Sequence, residues 1–146
     1  MKKDFVIRGQ TASGETEILE FGGYKEGYAY KLIEFQLWGS TNIGGAAAEM
    51  MGSITAGKTA VAPTDPNFNN EGLIGVSYYA DHDSEAYGPV VGSVLNDTFM
   101  ITQNLILMVQ DIQNNPINWQ CRFVSHKMAD AEAAATNFKQ FSIFDE

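Results

Sequence analysis

The chain has 146 residues, 45% of them hydrophobic, and a formal net charge of −9 at neutral pH. That length fits one domain, able to bury about 70% of the surface its unfolded chain would expose, and the acidic balance argues against gripping a phosphate backbone, which needs clustered Lys and Arg. Charged residues reach only 18% and aromatic residues 12%, so the surface is polar through Asn, Gln, Ser, Thr and Gly, as in proteins that work packed against neighbours.

The first expected elements are strands at 5–7 and 17–21. They flank Thr11-Ala12-Ser13-Gly14-Glu15, a polar loop with Gly in a turn position, and together read as a β-hairpin. After a break at Gly22, Gly23 and Gly27, the segment 28–38 is a strong strand. Its alternation puts Ile33, Phe35 and Leu37 in the core and Tyr28, Tyr30, Leu32, Glu34, Gln36 and Trp38 on the other face, where large rings keep their polar tips wet. A strand is expected over 49–55, then a loop over 57–71 carrying Pro63 and Pro66, long enough to contact something. Strand character returns at 73–80, a polar segment follows over 81–87, and Val90 and Val91 start a short strand.

The segment 98–109 is the expected centre of the fold. Phe99, Ile101, Leu105, Leu107 and Val109 point one way and Met100, Ile106 and Met108 the other, so both faces should be covered. Its neighbour, 117–126, alternates instead: Ile117, Trp119, Cys121 and Phe123 inward, Asn118, Gln120, Arg122 and His126 outward. Asp111, Asn114, Asn115 and Pro116 between them are turn formers that join two antiparallel strands. Cys121, the sole cysteine, has no internal disulfide partner and reads as a small core residue. Over 128–141 the period changes: Met128, Ala131, Ala135 and Phe138 fall at helical spacing in an alanine-rich stretch. No apolar run is long enough for a signal peptide or a membrane span.

Several patterns could carry chemistry. Gly52-Ser53-Ile54-Thr55-Ala56-Gly57-Lys58-Thr59 matches the phosphate-cradling pattern letter for letter. Such a loop must follow a buried parallel strand and open a helix, and here Pro63 and Pro66 stand where that helix would form. A strand end and turn with Lys58 and Thr59 solvated is the plainer expectation. Asp81, Asp83 and Glu85 alternate as calcium ligands do, but Ala86 occupies the place of the sharp-turn glycine. Two histidines and one cysteine make no zinc cluster, and Gly75-Val76-Ser77-Tyr78-Tyr79 begins a nucleophile elbow without completing it. Glu34 reads as an exposed carboxylate paired with a cross-strand cation before it reads as a catalytic acid. Tyr28, Tyr30, Trp38, Tyr78, Tyr79 and Tyr87 offer a platform for stacking sugars, or subunit contacts.

Seven or eight short strands, glycine-rich turns and one short C-terminal helix predict a mainly β protein, a single antiparallel β-sandwich of jelly-roll type over 1–146. The opening strands, Gly27-Tyr28-Ala29-Tyr30-Lys31-Leu32-Ile33-Glu34-Phe35, the central strand, Ile117-Asn118-Trp119-Gln120-Cys121-Arg122-Phe123 and the terminal helix resemble, as a pattern, small single jelly-roll virion proteins of bacterial viruses, especially marine ones. That resemblance implies a non-enzymatic capsid, decoration or spike-base subunit located in the virion, assembled in the host cytoplasm. Its partners would be copies of itself and other virion proteins, with no direct nucleic-acid contact and no cofactor. Tyr28, Tyr30, Trp38, Lys58, Pro63, Pro66 and Phe68 are the expected contact residues. A carbohydrate-binding module with a glycan partner is the alternative, and a nucleotide-binding protein a third reading.

Overall fold

The structure is a computed structural model that describes residues 4–21, 27–41, 47–81 and 89–144. Eight strands precede one helix: β1 (Asp4–Thr11), β2 (Thr16–Leu19), β3 (Tyr28–Gly39), β4 (Ala48–Ala56), β5 (Leu73–Asp81), β6 (Val90–Leu95), β7 (Leu105–Asp111), β8 (Ile117–Lys127) and α1 (Asp130–Phe144). They form two antiparallel sheets, a three-stranded one in the order β1-β8-β3 and a five-stranded one in the order β2-β7-β4-β5-β6. The chain crosses between the layers at each step from β1 to β4 and again from β7 to β8, whereas β4 to β7 all lie in the larger sheet. This is a jelly-roll-like order. The uneven division leaves β6 at the rim of the larger sheet, hydrogen-bonded to β5.

Strict alternation builds the core. In β8, Ile117, Trp119, Cys121 and Phe123 are buried while Asn118, Gln120 and Arg122 are half-wet. In β7, Leu105, Leu107 and Val109 are buried, opposite Ile54 and Gly52 of β4 and their neighbours. One end of the core is aromatic: the Phe21 ring lies 4.8 Å from that of Phe123 and 5.4 Å from that of Tyr30, with Phe5 stacked on Phe123 at 5.6 Å. Trp119 donates its indole N–H to the Thr11 hydroxyl at 2.9 Å, which settles the one polar atom its ring brings into the layer.

Three expectations are corrected. The segments around Ser13 and Gly14, and around Asp111 to Pro116, are not hairpins: β1 pairs with β8 and β2 with β7, so both connections pass from one sheet to the other. The two crossings are tied together, since Asp111 N–H donates to Ser13 Oγ at 2.8 Å. Gly14 adopts φ 82°, the left-handed conformation a glycine supplies at least cost. The central strand is shorter than expected, running over Leu105–Asp111. Its anticipated first half leaves the large sheet and touches β3 through an isolated Tyr30–Ile101 bridge. Strand β3 carries a β-bulge between Leu32 and Glu34, which reverses the facing of everything before it. Tyr30 and Leu32 therefore join Phe35 and Leu37 in the core, and Ile33 turns outward.

The loop expected over 57–71 lies between β4 and β5. Part of it folds over the chain's own outer face: Ser53 Oγ donates to the Val61 carbonyl at 2.5 Å, and Val61 N–H donates to Thr55 Oγ1 at 3.2 Å. That cover explains why two hydroxyl residues of β4 are buried. Helix α1 begins two residues later and ends three residues later than the expected 128–141. It is seated by buried Ile143, whose Cγ2 lies against Gly57 and Gly72 at the end of β4, and by the Lys139 ammonium 5.9 Å from the Phe99 ring.

Candidate functional site

The phosphate-loop letters do not build a phosphate loop. Gly52 to Ala56 lie inside β4, which runs antiparallel to both β5 and β7. Lys58 and Thr59 are exposed in an irregular turn that no helix follows, and the sole helix among the described residues is α1. Among the described residues no amide-lined helix N-terminus faces Lys58. Gly52 has a packing role instead: a Cβ there would stand 2.8 Å from Cζ of Phe35.

The other candidate residues are also placed. Glu34 sits directly opposite Arg122 and accepts from its Nε at 3.3 Å, an exposed cross-strand pair. His126 meets Glu132 of α1 at 3.2 Å. Asp81 ends β5, while His82, Asp83, Glu85, Ala86 and Tyr87 lie outside the described residues; among the described residues no three candidate ligands gather into a metal site. The Asp111 carboxylate is buried and structural, accepting the N–H groups of Gln113 and Asn115, each at 3.2 Å. Burial holds the Cys121 thiol well above its usual range.

Two of the six rings offered as an aromatic platform lie in the core, and Tyr87 lies outside the described residues. Tyr30 is buried among Phe5 and Phe21. Tyr79 is buried as well, edge-on to Trp38 at 5.5 Å. Burial, then the carboxylate of Asp81, raises its phenol pKa. Tyr78 faces outward from the other sheet, its pKa raised by burial and by the adjacent Glu49. Of the expected contact residues, Pro63 is also buried, Tyr28 is half-buried, and Trp38, Lys58, Pro66 and Phe68 are exposed.

What the fold does bring together is an open flank around β6. In that strand Val91, Ser93 and Leu95 pair with Tyr79, Ser77 and Gly75 and so face inward, while Val90, Gly92 and Val94 face outward. The three-stranded sheet does not reach far enough to cover it, leaving Val90, Val91 and Val94 at 61%, 64% and 56% exposure. On the inner side, a groove of about 240 Å³ runs between β3 and β6, with Trp38 and Val91 among its walls. On the outer side, Phe68 lines a hollow with Val94 and Leu95. Trp38 and Phe68, 55% and 64% exposed, thus flank one strand from its two faces. Sequence reasoning singled out both rings but saw in β6 only a short strand. The signal available was the uncharged run Val90-Val91-Gly92-Ser93-Val94-Leu95.

A second surface lies on the outer face of the small sheet, where Arg8, Gln36, Trp38, Asn118 and Gln120 border a depression of about 450 Å³. Arg8, Gln120 and Gln36 stand in one cross-strand row, and Gln10, Asn118 and Trp38 in the next. No helix among the described residues is long and apolar enough to cross a membrane. No protein-family model matches the chain, and no curated protein matches its sequence at a significant level.

Proposed function

We propose that the chain is a non-enzymatic structural subunit of a virus particle, a capsid, decoration or spike-base protein that packs against copies of itself and other virion proteins. The observation that carries this reading is the flank around β6, where three valines, Trp38 and Phe68 stay in water on a chain of net charge −9. Interface centres are poor in charge and rich in aromatic residues, and apolar patches of this kind on a soluble domain mark contact surfaces. The jelly-roll-like strand order is in keeping with the resemblance to small virion proteins. Class averages of the purified chain test the reading. Closed rings or clusters of fixed rotational order are expected, and a monomer throughout the micromolar range, missing from purified particles, would overturn it.

One observation favours a second reading. The ledge of Arg8, Gln36, Asn118 and Gln120 beside the half-exposed indole of Trp38 has the donors, acceptors and stacking ring that sugars require. A glycan array probed with the native chain and with Trp38→Ala decides it: silence from the native chain removes the glycan-binding reading.

A further inference from the structure

Exposed sheet edges invite pairing with other chains, and proteins usually blunt them with charge. The two sheets here have four rim strands, β1, β2, β3 and β6. Three are blunted: β1 carries Asp4 and Arg8, β2 carries Glu17, and β3 carries Lys31 and Glu34. Strand β6 carries no charge, and the uncharged run extends in sequence from Ala86 to Asn96. Its hydrogen-bonding edge is also correctly turned. Asn96 N–H donates to the Ile74 carbonyl at 2.8 Å; alternation along an antiparallel ladder then points the backbone groups of Val94, Gly92 and Val90 toward β5 and those of Val91, Ser93 and Leu95 away from it.

We propose that the free edge of β6 pairs antiparallel with β6 of a second copy of this chain, across a two-fold axis at Gly92, extending the large sheet from one subunit into the next. This rests on the structural-subunit reading and names its contact. Two features select a second copy as the occupant. A two-fold contact must be self-complementary, and the outward-facing residues Val90, Gly92 and Val94 read the same in both directions about Gly92. A chain of charge −9 repels its own kind, and β6 is the rim strand that carries no charged side chain into such a contact. With Gly92 on the axis, Val90 lies against Val94 of the partner subunit, and Val91 exchanges backbone bonds with Ser93 of the partner subunit. The groove holding Trp38 lies along this seam, which places that ring at the new interface.

Gly92 supplies the test. A Cβ there meets nothing within 4 Å, so Gly92→Cys is accommodated. A non-hydrogen-bonded antiparallel pair sets its Cα atoms about 4.5 Å apart, within the roughly 4.4–6.8 Å range of a disulfide. The full-length Gly92→Cys chain, oxidised mildly and run without reductant, is expected to give a covalent dimer, whereas Ile18→Cys, also exposed and on the β2 rim, is not. Val91→Lys and, separately, Val94→Lys are expected to weaken self-association at least tenfold by sedimentation while leaving the circular dichroism unchanged. If native oligomers form, lysine at either position leaves them intact and Gly92→Cys does not cross-link, the β6 contact is wrong and the subunit reading survives. Cross-linking of Ile18→Cys to the same extent also refutes the contact, since it would report collision alone. A native chain monomeric at every concentration sinks both.

Discussion

Replacing Gly52 with alanine separates the packed sandwich from a phosphate loop. The added methyl would stand 2.8 Å from Phe35 Cζ and 3.2 and 3.5 Å from the two δ carbons of Leu37. Carbon atoms prefer about 3.5–4.0 Å, so the Phe35 ring has to retreat by about 1 Å in a layer with little slack. Overpacking of this kind costs about 1–3 kcal/mol. The reduced backbone freedom of the unfolded chain returns about 0.5 kcal/mol, leaving a net loss of about 0.5–2.5 kcal/mol. With a urea slope of about 2 kcal/mol per molar, the unfolding midpoint should fall by about 0.3–1.2 M at unchanged slope. Phe35→Leu makes room for the methyl, so the double variant should lose less than the sum of the single losses, with a coupling on the order of 1 kcal/mol. If Gly52→Ala leaves the midpoint where it was, the Phe35 ring does not sit over Gly52 and the facing of the two sheets is wrong.

Asp111→Ala removes the acceptor for two turn amides at a buried position; a loss of about 2–3 kcal/mol is expected, read by the same urea titration. Cys121 has its thiol pKa raised by burial above the ordinary 9.0, so its stabilising contribution is complete below that value. As pH climbs past it, the unfolded chain gives up the thiol proton and the native chain keeps it, so stability should fall, by about 1.4 kcal/mol per unit from this group alone. The two raised tyrosines act in the same sense from pH 10.0 upward. Cys121→Ala should flatten the first part of that decline, and the native thiol should resist aromatic disulfide reagents until the chain unfolds. Glu34→Gln breaks an exposed pair and should shift stability by under about 1 kcal/mol; a larger loss in thermal melts would give Glu34 a role beyond pairing.

Much of the fold was legible because burial writes a period of two into a strand. The alternation in 117–126 named four of the five buried residues of β8, missing Ser125, and named Leu105, Leu107 and Val109 likewise. Pairing was not legible. Asp111, Asn114 and Pro116 turn a chain equally well whether the next strand lies beside the last or in the opposite sheet, and only the assembled layers decide. The bulge at Ile33 left no mark in the letters, yet it carried Tyr30 from the expected wet face into the core. Trp38 and Phe68 were among the residues expected at contacts, and both are exposed. The role of β6 could not be read, because a run of valines becomes an exposed rim only once the strand order, among the described residues, puts no further strand beside it.

Amide hydrogen exchange of the native chain, followed residue by residue as protein concentration rises, tests the account most directly. The amides of Val91 and Ser93 should be quick to exchange when dilute and become protected as copies associate, while the amides on the outer edge of β2 keep one rate throughout. Rates at Val91 and Ser93 that do not change with concentration while the chain visibly assembles would contradict it.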